Sequence, residues 1–181
     1  DPYVLCTILL TKCNWQVATA YGAIPIALET ELLDDLNVTA KQLEQEKHDL
    51  LKNKIIRDLY DKMKAADVFF IGASSLSAPS GFRTTLRNLE ERGLDMETLK
   101  ASQIIGDVNY TFFDKSGSEL FKPYLSLDQG FLSSLFSKRE KKVILVSGGY
   151  GKADIVKIAL ENRSCNIVIT DENTVSKILN L

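Results

Sequence analysis

The sequence is poor in the residues that usually announce a chemistry. Among 181 residues there is one histidine, one tryptophan, four prolines and three cysteines. The single histidine, His48, sits among Glu44, Glu46, Lys47, Asp49 and Lys52, the setting of a solvated helix face rather than of a catalytic base. No serine or cysteine stands in a recognisable nucleophile motif, so no catalytic residue is assigned. Cys6, Cys13 and Cys165 are odd in number and lack metal-ligand spacing, which predicts reduced core thiols, no metal and no cofactor in a cytoplasmic protein. No apolar run reaches the ~18 residues that a membrane helix needs, and the first residues lack the basic flank of a signal peptide. The three matches to the N-glycosylation pattern, at Asn37, Asn109 and Asn162, therefore carry no weight. Positive charge is not in excess either: 22 Lys and Arg stand against 24 Asp and Glu, a net charge of −2, and they are scattered. The chain thus lacks the basic stripe of a nucleic-acid-binding surface.

What is present is an ordinary globular composition, 45% hydrophobic and 25% charged, and a length that fits one domain over residues 1–181. Asp1-Pro2 ahead of Tyr3, Leu5, Ile8 and Leu9 predicts a capped amphipathic helix. Residues 15–21 read as a strand, with Gly22 and Pro25 punctuating the next stretch of chain. Thr39 and Gln42 form a capping-box pair before a long helical pattern with Leu51, Ile55, Leu59 and Met63 on one face. Residues 67–71 are a short apolar strand that Gly72-Ala73-Ser74-Ser75 turns away from. Helical character follows over 83–101, then a strand at 103–105 ending at Gly106-Asp107, a strand and tight turn from Tyr110 to Gly117, and a short helix over 128–137. The last third is clearest: strand 142–146, helix 150–162, strand 165–169, helix 171–179. That alternation predicts an α/β fold with parallel pairing and helices covering the sheet.

In open parallel sheets ligands bind beyond the carboxyl ends of the strands. Ser147-Gly148-Gly149-Tyr150-Gly151-Lys152 is the strongest such junction, because glycines admit a ligand to the backbone, the next helix offers free amides, and Lys152 adds a positive charge. It is neither a nucleotide-triphosphate loop, since Val146 and Ala153 stand at required Gly and Ser/Thr positions, nor a dinucleotide fingerprint, since Asp154 replaces the third glycine. Asp107 is placed to accept hydrogen bonds from sugar hydroxyls, and Gly72, Ser74 and Ser75 offer donors at the other junction.

Four segments in order resemble the sugar-binding domain of SorC-type transcriptional regulators over nearly the whole chain: 66–72, 105–114 with Gly117, 147–158, and the closing strand with its Thr170-Asp171-Glu172 cap. The resemblance implies a three-layer, mostly parallel sheet with helices on both faces, related to sugar-phosphate isomerases and deaminases and to coenzyme A transferases. It implies a sugar or sugar-phosphate effector, a homo-oligomer (dimer or tetramer), and DNA contact only through a segment outside this chain, as is the family's first phosphate loop. Carried over residue by residue, Lys152 contacts the effector phosphate, Gly148 and Gly149 form its loop, Asp107 meets a hydroxyl, Gly72 and Ser75 line the other edge, and Arg83 is a second anion contact. Gly72 is followed by Ala73 and Ser74 where the family has a second glycine, so close approach is not expected there. The other readings are a sugar-phosphate isomerase or deaminase of the same fold, and an oligomerisation module that has lost ligand binding.

Overall fold

The computed structural model describes residues 3–7, 24–28, 45, 47–78, 103–121 and 127–180. They belong to two compact units, the first comprising residues 1–66 with 123–125 and the second 67–122 with 126–181.

In the first unit, β1 (Tyr3–Thr7) and β2 (Ile24–Leu28) pair in parallel, from Tyr3 opposite Ile24 to Thr7 opposite Leu28. The helix expected at the start of the chain is thus a strand. The physical reason is that Tyr-Val-Leu-Cys-Thr is a continuous run with no polar face and two β-branched residues, which suits a strand better than an amphipathic helix. Pro25 lies within β2 opposite Val4 rather than ending a segment; among the described residues β2 pairs on one side, an arrangement that tolerates the missing donor.

The long helix expected through residue 63 is interrupted. Helical residues 47–50 give way to a turn at 51–53, and Asn53 then caps α1 (Lys54–Ala65) by accepting the Ile55 amide at 3.0 Å. Tyr60 and Met63 are buried, whereas Ile55 is 71% exposed. A strict every-fourth-residue series drifts around a helix of 3.6 residues per turn, so the expected line does not stay on one face. The Thr39–Gln42 cap and the 15–21 strand lie outside the described residues.

The second unit holds two sheets. The parallel one has the order β3 (Val68–Ile71), β8 (Lys142–Val146), β9 (Ile167–Ile169). The antiparallel one runs β4 (Ala73–Ser75), β5 (Ile104–Val108), β6 (Thr111–Asp114), β7 (Glu119–Phe121). Only Gly72 separates β3 from β4, so one extended stretch serves both sheets. Residues 73–75 therefore do not turn the chain away: Ala73 pairs with Val108, Ser74 with Asp107 and Ser75 with Gly106. β5 also continues through Gly106 and Asp107 instead of ending before them. It returns as β6 through Asn109 and Tyr110, both with positive φ (49° and 65°), the two-residue turn whose twist matches a hairpin.

Helices pack against both sheets of this unit. α2 (Gln129–Leu135) is capped by Asp128, packs on β8 through a short apolar side containing Leu132 and Leu135, and sets Phe131 edge-on to Phe69 at 6.0 Å. A single 3₁₀ turn (Tyr150–Lys152) leads into α3 (Ala153–Glu161), whose Ile155, Val156, Ile158 and Ala159 are buried as it packs on β4 and β5. α4 (Glu172–Leu179) lies against α3. Phe69, Ile71, Val143 and Leu145 form the sheet's buried face. Val68, Phe70, Val146 and Ile169 point the other way and are about half exposed or more. The helical segment expected over 83–101 lies outside the described residues.

Candidate functional site

The carboxyl ends of β3, β8 and β9 open at Gly72, Ser147 and Thr170. Ser147 ties them together: its amide donates to Ile169 O at 3.1 Å and its buried hydroxyl to Ala73 O at 3.3 Å. Beyond it, Gly149 adopts φ 109°, a conformation that L side chains rarely take. A Cβ at Gly151 would lie 2.9 Å from Ser77 O and 3.1 Å from the Ala78 Cβ. Glycine there lets the 150–152 turn press against residues 77 and 78, which follow β4. This brings the two junctions read in the sequence to one edge of the second unit.

Asp107 is the buried charge of that edge, 6% exposed on β5. It is not a turn residue. Ser74 Oγ donates to one carboxylate oxygen and the Tyr110 amide to the other, the latter at 3.0 Å. Burial pushes its carboxyl up to about 6, while Ser74, the Tyr110 amide and the Lys152 charge each pull it back. Lys152, half-buried on the 150–152 turn, is thus the cation whose field reaches Asp107. The set Ser74–Asp107–Lys152 pairs a carboxylate acceptor with a cation, the complement of a hydroxyl and an anionic group on one small molecule.

The remaining expected residues are distributed differently. Ser75 is 3% exposed, its hydroxyl donating to Ile105 O at 3.3 Å and accepting the Ser77 amide at 3.1 Å, so that group is committed to the fold. Its neighbour Ser74 faces Asp107. Gly72 is exposed, with open space where a Cβ would go, and its carbonyl accepts the Asn109 amide. Arg83 lies outside the described residues. Gly148 and Gly149 meet a residue read only as a helix cap. A Cβ on Gly148 would collide with Asp171 Oδ2, and the Gly149 amide donates to that same oxygen and to Thr174 Oγ1 at 2.9 Å. Lys177 lies on the other flank of the turn, 3.2 Å from Asp154 Oδ2 and 4.7 Å above the Tyr150 ring.

Among the described residues no group of three His, Cys, Asp or Glu side chains is placed to hold a metal ion. His48 is exposed. Cys165 is buried, which pushes its thiol up to about 11 and leaves it unreactive at neutral pH. No helix among the described residues is long and apolar enough to cross a membrane.

This α/β fold is shared with bacterial transcriptional regulators. The full-length sorbitol operon regulator SorC from Klebsiella pneumoniae superposes with a TM-score of 0.71 at 17% identity, over 97% of this chain and 58% of that one. A DeoR family transcriptional regulator from Listeria monocytogenes gives 0.69 at 20% identity, over 93% and 64%. A transcriptional regulator from Streptococcus pneumoniae gives 0.68 at 16%, over 92% and 60%. The chain spans about three fifths of the length of these proteins. No curated protein matches the sequence. Residues 36–180 match the Sugar-bind family, described as "Putative sugar-binding domain", and the chain belongs to that family.

Proposed function

We propose that this chain is the effector-sensing domain of a bacterial transcriptional regulator, and that it binds a sugar or sugar phosphate without transforming it. The observation that carries the reading is the buried, hydrogen-bonded Asp107 beside Lys152 at the open strand ends. A carboxylate held by Ser74 and the Tyr110 amide retains acceptor capacity for a sugar hydroxyl. Lys152, the cation at the end of the glycine-bearing turn, supplies the complement of a phosphate. Binding here would favour one conformational or oligomeric state of a cytoplasmic, homo-oligomeric regulator by differential affinity, and so set its hold on DNA.

The test is thermal unfolding of the chain against a panel of sugar phosphates and the matching sugars. A ligand at 100 times its dissociation constant stabilises by roughly 2.7 kcal/mol, a rise of about 5–10 °C at this length. One phosphorylated sugar is expected to give that rise, and Lys152→Ala to abolish it while leaving the ligand-free midpoint in place. A flat panel, or a rise that survives in Lys152→Ala, would overturn the assignment of the site.

A further inference from the structure

The loop proposed to receive the effector's anionic group already holds an anion of the protein's own. Asp171 Oδ1 caps α4 by accepting the Thr174 amide at 2.9 Å, while Oδ2 accepts the Thr174 hydroxyl at 2.9 Å and the Gly149 amide. Thr174 is fully buried and its hydroxyl also accepts the Gly149 amide, so it fixes the carboxylate against the loop. The Thr174 amide, the Gly149 amide and the Thr174 hydroxyl, in that order, hold the Asp171 carboxyl below its ordinary range. It is therefore charged at neutral pH. Gly148 has no room for a side chain because Asp171 Oδ2 stands where its Cβ would be. The two glycines thus serve an internal carboxylate before they serve any ligand.

From this we infer that Asp171 is a built-in competitor of the effector's anionic group and a determinant of how tightly, and how selectively, phosphorylated ligands bind. The inference rests on the effector site proposed at the open strand ends. A phosphate approaching the Gly149 amide meets a donor already in use and a negative charge beside it, whereas a neutral sugar meets no such opposition. The competition also reaches α4, because the oxygen that holds Gly149 belongs to the group that caps that helix. Displacing it would loosen the link between the ligand loop and α4.

The variants are Asp171→Asn, which keeps a capping oxygen and removes the charge, and Asp171→Ser, which also caps a helix but is too short to reach the loop. The control is Asp154→Asn, which removes a nearby charge that is paired with Lys177 at 3.2 Å and does not touch Gly149. Inorganic phosphate is titrated against the unfolding midpoint at constant ionic strength, with the Gly149 amide followed by NMR. Phosphate is expected to bind at least fivefold more tightly to both Asp171 variants than to the parent, to shift the Gly149 resonance, and to gain little in Asp154→Asn. If the parent binds phosphate and the Asp171 variants bind it no more tightly, the competition is overturned and the site stands. An equal gain in Asp154→Asn would overturn it too, leaving only a general effect of charge. If neither the parent nor any variant binds phosphate, the site and the competition fall together.

Discussion

Asp107 is expensive to keep ionised, and that fixes a pH dependence. Its carboxyl is raised from an ordinary 3.8 to about 6. Below about pH 4 both folded and unfolded chains hold the proton and there is no cost. Between 4 and 6 the unfolded chain has released it and the folded chain has not, so stability falls as pH rises; above 6 the full cost remains. The gap corresponds to a penalty on the order of 3 kcal/mol at neutral pH. Asp107→Asn is therefore expected to be more stable than the parent at pH 7.5 in urea unfolding, with the advantage shrinking towards pH 4.5. A difference that stays constant across that range would mean that Asp107 is not the group responsible. The same variant should lose affinity for a sugar, since a buried acceptor has been exchanged for a group with only one acceptor oxygen. Neither this burial nor the role of Asp171 was legible in the sequence. Ser74 lies 33 residues from Asp107 and Gly149 lies 22 from Asp171, and no local pattern reports a pairing across such distances.

At the scale of elements, the sequence was most legible where each segment is short and signalled at both ends. In the last third, β8, α3, β9 and α4 fall where apolar runs alternate with amphipathic ones, and Asp171 marks the start of α4. The antiparallel sheet was harder to see, because Ser74, Ser75 and Gly106 carry turn signals while occupying strands. Gly106 shows why. A Cβ there would collide with Ser74 O and lie 3.1 Å from Ser75 Cα and 3.2 Å from Ile155. Its glycine serves the close approach of β4 to β5 and of α3 to both, not a change of direction. Gly106→Ala should therefore cost about 1–3 kcal/mol, the usual penalty for overpacking a core, visible as a lower urea midpoint. Since β4 carries Ser74 and β5 carries Asp107, it should weaken sugar binding as well. A midpoint within error of the parent would show that the two strands separate at little cost.

For the whole molecule, the balance of 22 basic and 24 acidic residues bears on the proposed division of labour, in which this domain senses the effector and another segment holds DNA. A surface that binds DNA without sequence preference gains its affinity from phosphate neutralisation by clustered Lys and Arg. This chain on its own is expected to leave a labelled duplex free at physiological salt in fluorescence anisotropy. Retention at micromolar protein would place DNA contacts inside the sugar-binding domain and overturn that division. The joint between the two sheets has a practical use. Gly72 is exposed, empty space lies where its side chain would begin, and it adjoins the strand bearing Ser74. With Cys6 and Cys13 replaced and Cys165 too buried and too weakly acidic to compete, Gly72→Cys would carry an environment-sensitive dye beside the proposed effector site. The protein could then be read as an optical sensor, its emission tracking the concentration of whichever sugar binds at the proposed site.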